Sequence, residues 1–175
     1  CHTFIKTSTV SDLSHYIIPL KSIVSYNTTY DYELEESFFS AFVAEDGIIR
    51  GGNVKASIDV KKLNYSFELS IKLNGFVSVL CDRCLDVMEI QIDEDSVLVV
   101  KFGETYTEVD EELVIVPEKE GVFNIAWYLY ESLVLILPLQ RIHQDGGCNK
   151  EMEKNLQKYS TDITVVNEKI DPRWE

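Results

Sequence analysis

The chain has 175 residues, 45% of them hydrophobic, and a formal net charge of −14 at pH 7, with a pI near 4.6. That length suits one domain with its own core, and the apolar content excludes a disordered chain. An acidic balance this strong repels phosphate on average, which excludes sequence-independent nucleic-acid binding through a basic face and leaves a local basic patch or a protein partner as the route to any RNA.

Residues 1–26 mix Ser, Thr and short apolar pairs, so they are expected to form an irregular lead-in with one short strand or turn at Tyr16-Ile17-Ile18. Cys1 and His2 are assigned no role. From residue 27 to 35 the side chains alternate, Tyr30, Tyr32 and Leu34 against Asp31, Glu33 and Glu35, which is a strand with one wet face. The segment Ser37-Phe38-Phe39-Ser40-Ala41-Phe42 reads as a short helix, with a further strand as the alternative, and Glu45-Asp46-Gly47 as a turn.

Two clean strands follow. Val54, Ala56, Ile58 and Val60 alternate with Lys55, Ser57, Asp59 and Lys61, and Lys62-Leu63-Asn64 turns the chain. Tyr65, Phe67, Leu69, Ile71 and Leu73 then alternate with polar residues up to Asn74-Gly75, a pair that predicts a tight hairpin because both positions tolerate positive φ. A third strand, residues 76–80, ends at Cys81. Residues 87–92 and 97–102 supply two more strands, with Asp93-Glu94-Asp95 expected as the connection. Residues 103–112 are acidic and read as a solvated loop, or alternatively as a surface for a basic protein.

Residues 122–138 differ in kind, being apolar on nearly every side. They predict a helix buried by the sheet or by another chain, with Asn124 at its start and Pro138 at its end. Glu131 in its middle either faces water or pairs with Arg83 or Arg141. Residues 149–159 have helical spacing through Met152, Leu156 and Tyr159, and residues 161–175 read as a tail. The expected fold is α+β in a single domain, residues 1–175. Residues 27–116 form a mainly antiparallel β meander of about six or seven strands, an open barrel or strongly curved sheet. One apolar helix packs on it, and a second short helix lies near the C-terminus.

The chemistry gathers at Cys81, Cys84, His143 and Cys148. Thiolates and imidazole are the ligands zinc prefers, and a structural site uses four of them. A Cys-x-x-Cys turn supplies two neighbouring sulfurs, and His143 with Cys148 supplies a second pair from a Gly-rich segment. Two other readings stay open: two small buried residues at a strand end, or a redox dithiol, although the pair does not open a helix that would lower a thiol pKa. With four cysteines, no secretory signal and no apolar run long enough to span a bilayer, the chain reads as cytoplasmic, without a membrane partner.

The segment Gly75-Phe76-Val77-Ser78-Val79-Leu80-Cys81-Asp82-Arg83-Cys84-Leu85 resembles the Cys-x-Arg-Cys-Leu segment of the YceD family, proteins associated with accumulation of large-subunit (23S) ribosomal RNA. A second block is similar too: Phe123-Asn124-Ile125, Tyr130 through Pro138, then Arg141-Ile142-His143 and Cys148, as is the ending Asp171-Pro172-Arg173-Trp174. The two blocks and their connection run from Gly75 to Cys148. Asn124 departs from the pattern, standing where the family usually carries an acidic residue.

The sequence carries no phosphate-binding Gly-rich loop, no nucleophile elbow and no His-Glu-x-x-His, so an enzyme is not expected. The resemblance implies a non-enzymatic ribosome-biogenesis factor whose partner is large-subunit rRNA. Arg83 and Arg141 are then the candidate phosphate or partner contacts, while Lys61, Lys62 and Lys72 read better as surface charge. The alternative is an acidic protein-interaction module that grips a basic ribosomal protein and touches no RNA.

Overall fold

In a computed structural model of the chain, residues 12–42, 47–110, 112–144 and 147–159 are described. The alternating runs become long strands: β2 (Asn27–Leu34), β3 (Ile49–Lys62), β4 (Ser66–Leu80) and β5 (Val87–Gly103). Each pairs antiparallel with the next. With β6 (Thr107–Asp110) and β7 (Leu113–Pro117) they form an open six-stranded sheet in the order β2-β3-β4-β5-β7-β6. The short strand β1 (Ile17–Ile18) pairs with β8 (Phe123–Asn124), joining the lead-in to the start of the apolar helix. The segment 37–42 lies in a helix, α1 (Glu36–Phe42).

Three expectations are corrected. Asn74-Gly75 does not turn the chain but lies inside β4, where Gly75 pairs with Val54 of β3 and Ile92 of β5. Gly75 and Gly52 both take up extended backbone with positive φ, 152° and 150°. A Cβ on Gly75 would strike the Asn53 carbonyl and come within 2.8 Å of the Val54 Cα. The glycine is there for close backbone approach, and the hairpin falls later, at residues 81–86.

The second correction concerns Asp93-Glu94-Asp95, which continues β5. Asp93 faces Asn74, whose side-chain amide donates to Asp93 Oδ1 at 3.4 Å, and Asp95 stands opposite Lys72. Cross-strand polar partners on a wet face remove the reason for a turn. Third, the meander is broken: β7 runs parallel to β5, and the acidic segment expected as a loop contains β6, a fully exposed edge strand with β-branched Thr107 and Val109.

The apolar helix α2 spans Ala126–Ile136, shorter than expected because residues 123–124 are spent in β8. Asn124 does help start it, accepting a hydrogen bond from the Ala126 N–H at 3.0 Å. Only one face is buried: Ala126, Leu129, Tyr130 and Leu133 enter the core, while Leu135 is 68% exposed. Tyr130 stacks on Phe42 of α1, centroids 4.4 Å apart, and Phe42 continues into Phe38 and Tyr16. Leu129 is fully buried in this cluster. Its truncation to Ala is expected to cost about 2–5 kcal/mol, read as a lower urea midpoint with unchanged slope.

Candidate metal centre

The turn that joins β4 to β5 is a knuckle built on the two cysteines. Leu85 N–H donates to the Cys81 carbonyl at 2.9 Å, and Cys81 N–H donates to the Asp86 carbonyl at 2.9 Å. Leu85 closes it with φ 63°, a left-handed conformation that usually selects glycine and is held here by the surrounding bonds.

The segment after α2 is tied directly to this knuckle. Asp82 N–H donates to the Arg141 carbonyl at 2.7 Å, and the Arg141 N–H returns a bond to Asp82 Oδ2 at 2.9 Å. The Arg141 guanidinium adds a bond to Asp82 Oδ1 at 3.0 Å. The Arg141 backbone N–H first, and then its side chain, holds the Asp82 carboxyl below the usual carboxylate range. The last described helix, α3 (Lys150–Tyr159), is started by Asn149, which accepts from the Glu151 N–H at 3.0 Å. Glu153 of α3 lies 3.9 Å from Arg83.

These ties bring Cys81, Cys84, His143 and Cys148 together, with their ligand atoms all within 4.8 Å of one another. The three thiols are buried, in a small cluster apart from the main core and covered by Met88 and Met152. Cys84 Sγ is 3.4 Å from His143 Nδ1, Cys148 Sγ is 3.9 Å from the same nitrogen, and Cys81 Sγ is 3.9 Å from Cys148 Sγ. A tetrahedral zinc with Zn–S bonds near 2.3 Å needs sulfurs roughly 3.8 Å apart, so the donor set and its spacing fit that ion. The same 3.9 Å is far beyond the length of a disulfide bond.

Burial opposes ionisation of Cys81, yet the backbone N–H groups of Cys84, His143 and Arg83 outweigh it and hold the thiol down at about 6. Cys148 is pushed up by burial and by the neighbouring thiols. Thiols crowded this closely cannot all carry charge without a cation among them.

Arg83 and Arg141 both flank the cluster. Arg141 is committed to Asp82, whereas Arg83 is half exposed with one long ion pair. Glu131 is on the exposed face of α2, close enough to Tyr106 to help raise that phenol after burial and Glu108. Of the lysines, Lys61 pairs with Glu68 and Lys62 donates to the Ile23 carbonyl. The tail motif at residues 171–174 lies outside the described residues, as do Cys1, His2 and residues 45–46 of the expected turn.

What the fold and the cluster define is an α+β domain with a Cys3His centre that could hold a metal ion and that links the β4–β5 turn to the segment beyond α2. Residues 69–175, more than half of the chain and inclusive of all four candidate ligands, match the family described as large ribosomal RNA subunit accumulation protein YceD. The chain belongs to the YceD family. No curated protein and no solved structure matches it. No helix among the described residues is long and apolar enough to cross a membrane.

Proposed function

We propose that the protein is a non-enzymatic ribosome-biogenesis factor that supports accumulation of large-subunit (23S) rRNA in the cytoplasm. The family match over residues 69–175 carries this reading. The Cys3His cluster supports it in kind: four protein donors fill a tetrahedron and leave no open position for a substrate, the pattern of structural rather than catalytic zinc. Zinc there would be held by Cys81, Cys84, His143 and Cys148 and would fix the knuckle against the segment after α2. Arg83, on the rim of that junction, is the better candidate for a phosphate contact, because Arg141 already serves Asp82.

Depletion of the protein in its native host is expected to lower the ratio of 23S to 16S rRNA, with restoration by the wild-type chain. An unchanged ratio would remove the reading.

A second reading is favoured by the charge of −14 and by an acid-rimmed groove between α2 and the strands β5 and β6: the protein holds a basic ribosomal protein and affects RNA through it. The two separate by direct binding. Affinity for an rRNA fragment that falls steeply with salt and is weakened by Arg83→Ala supports RNA contact, whereas co-purification of a basic ribosomal protein without RNA supports the second.

A further inference from the structure

A groove of about 740 Å³ separates the exposed face of α2 from β5 and the edge strand β6. Its apolar surface comes from α2 and from the edge hairpin: Trp127, Tyr128 and Leu135 on one side, Tyr106 and Val109 on the other. Tyr106, Val109 and Leu135 are each more than half exposed. Its charged groups among the described residues are Glu94, Asp95, Glu108, Asp110, Glu112 and Glu131, and no Lys, Arg or His is among its described lining residues. The Ser96 hydroxyl, also in its wall, is buried without a hydrogen-bond partner among the described residues.

Charge complementarity selects the occupant. Glu94, Asp95, Glu108, Asp110 and Glu112, which meet no Lys, Arg or His among the described residues lining the groove, repel the phosphates of nucleic acid and of anionic membranes. They equally disfavour a second copy of a chain that itself carries −14. The chain's own residues 160–175 hold four acids and two bases, which is the wrong sign. Aromatic faces beside carboxylates suit Lys and Arg, which lay apolar stems on the rings and place cations over them or against the acids.

We propose that this groove binds a lysine- and arginine-rich segment of a protein partner, with an apolar side chain of that segment seated between Trp127 and Leu135. The partner's being ribosomal rests on the second reading above; the groove's preference for a basic segment does not.

The test titrates the purified full chain, carrying Trp174→Phe so that Trp127 alone reports, with a short synthetic peptide of lysine, arginine and leucine. Saturable binding that weakens with salt is expected, with a loss of about tenfold in Glu94→Gln/Glu112→Gln and a comparable loss in Leu135→Asp. Both variants alter exposed side chains, so an unchanged denaturation midpoint would show that their fold is intact. Equal binding of a peptide with glutamate in place of the cations would overturn the proposal. So would unchanged affinity in both variants, or no binding by the folded wild-type chain. Because the titration contains no ribosome or rRNA, its failure would be distinct from an unchanged rRNA ratio on depletion.

Discussion

Purified without a metal-affinity tag, the protein is expected to carry one equivalent of zinc, and Cys84→Ser or Cys148→Ser is expected to remove it. Three thiols and an imidazole gathered within 4.8 Å suit zinc better than magnesium or calcium, which take oxygen ligands. In zinc-finger peptides such sites are worth about 10–16 kcal/mol, comparable to the whole stability of an ordinary domain. The main core forms a cluster of its own, joined to the cysteine cluster through Met88. Losing the metal should therefore release the knuckle, the segment after α2 and α3, while the sheet survives. Hydrogen exchange would show this as loss of protection in α3 and at residues 81–86, with β3 and β4 still protected.

The pH dependence follows from the thiols. Zinc binds thiolates, so every proton still held by a ligand must leave. Cys81 sits at about 6 and is largely ionised at neutral pH, whereas Cys148 is pushed up and must surrender a proton. Affinity should climb as pH rises above neutrality, until Cys148 is ionised without the metal. It should fall as pH drops through 6, where Cys81 regains its proton. Elemental analysis showing no metal, together with failure of added zinc to raise the thermal midpoint, would return the cysteines to the role of small buried residues.

Much of this arrangement was legible in the residues, and the misreadings have physical causes. The second ligand pair was readable because thiols and imidazole are scarce in the chain, but the ties that carry it to the first, Asp82 to Arg141 and Arg83 to Glu153, are long-range pairings with no local signature. In β4 the apolar phase argued against the turn that Asn74-Gly75 suggested. Phe67, Leu69, Ile71, Leu73, Val77 and Val79 all share one parity, whereas a two-residue turn would place Leu73 opposite Phe76 and reverse it. Phase could not decide Asp93-Glu94-Asp95, because a three-residue connection preserves parity. What decided it was the partner strand, where Lys72 and Asn74 wait opposite those acids. The groove was invisible for a similar reason: helix 122–138 looked apolar all round, and which of its faces the core takes is settled only by where β8 and α1 fix it.

Gly75→Val is expected to be among the most damaging single changes outside the metal ligands, although Gly75 touches no ligand and looks like a loop residue in the sequence. Two penalties combine. The backbone at φ 152° is one that side-chain-bearing residues rarely adopt, at a cost of about 1–3 kcal/mol. The new Cβ would also collide with backbone, the Asn53 carbonyl and the Val54 Cα, and backbone in a strand paired on both sides cannot swing aside as a side-chain tip can. Separating β3 from β4 there would strain the register that runs on to Val79 opposite Ile49, next to the turn that presents Cys81. A total loss of about 4 kcal/mol or more is anticipated, a large share of the stability of an ordinary domain. Gly51→Ala is the matched control, since a Cβ there meets nothing within 4 Å, and it should cost little. Equal stability of Gly75→Val and Gly51→Ala in urea would mean that Asn74-Gly75 is a turn after all and that the long β4 is wrong.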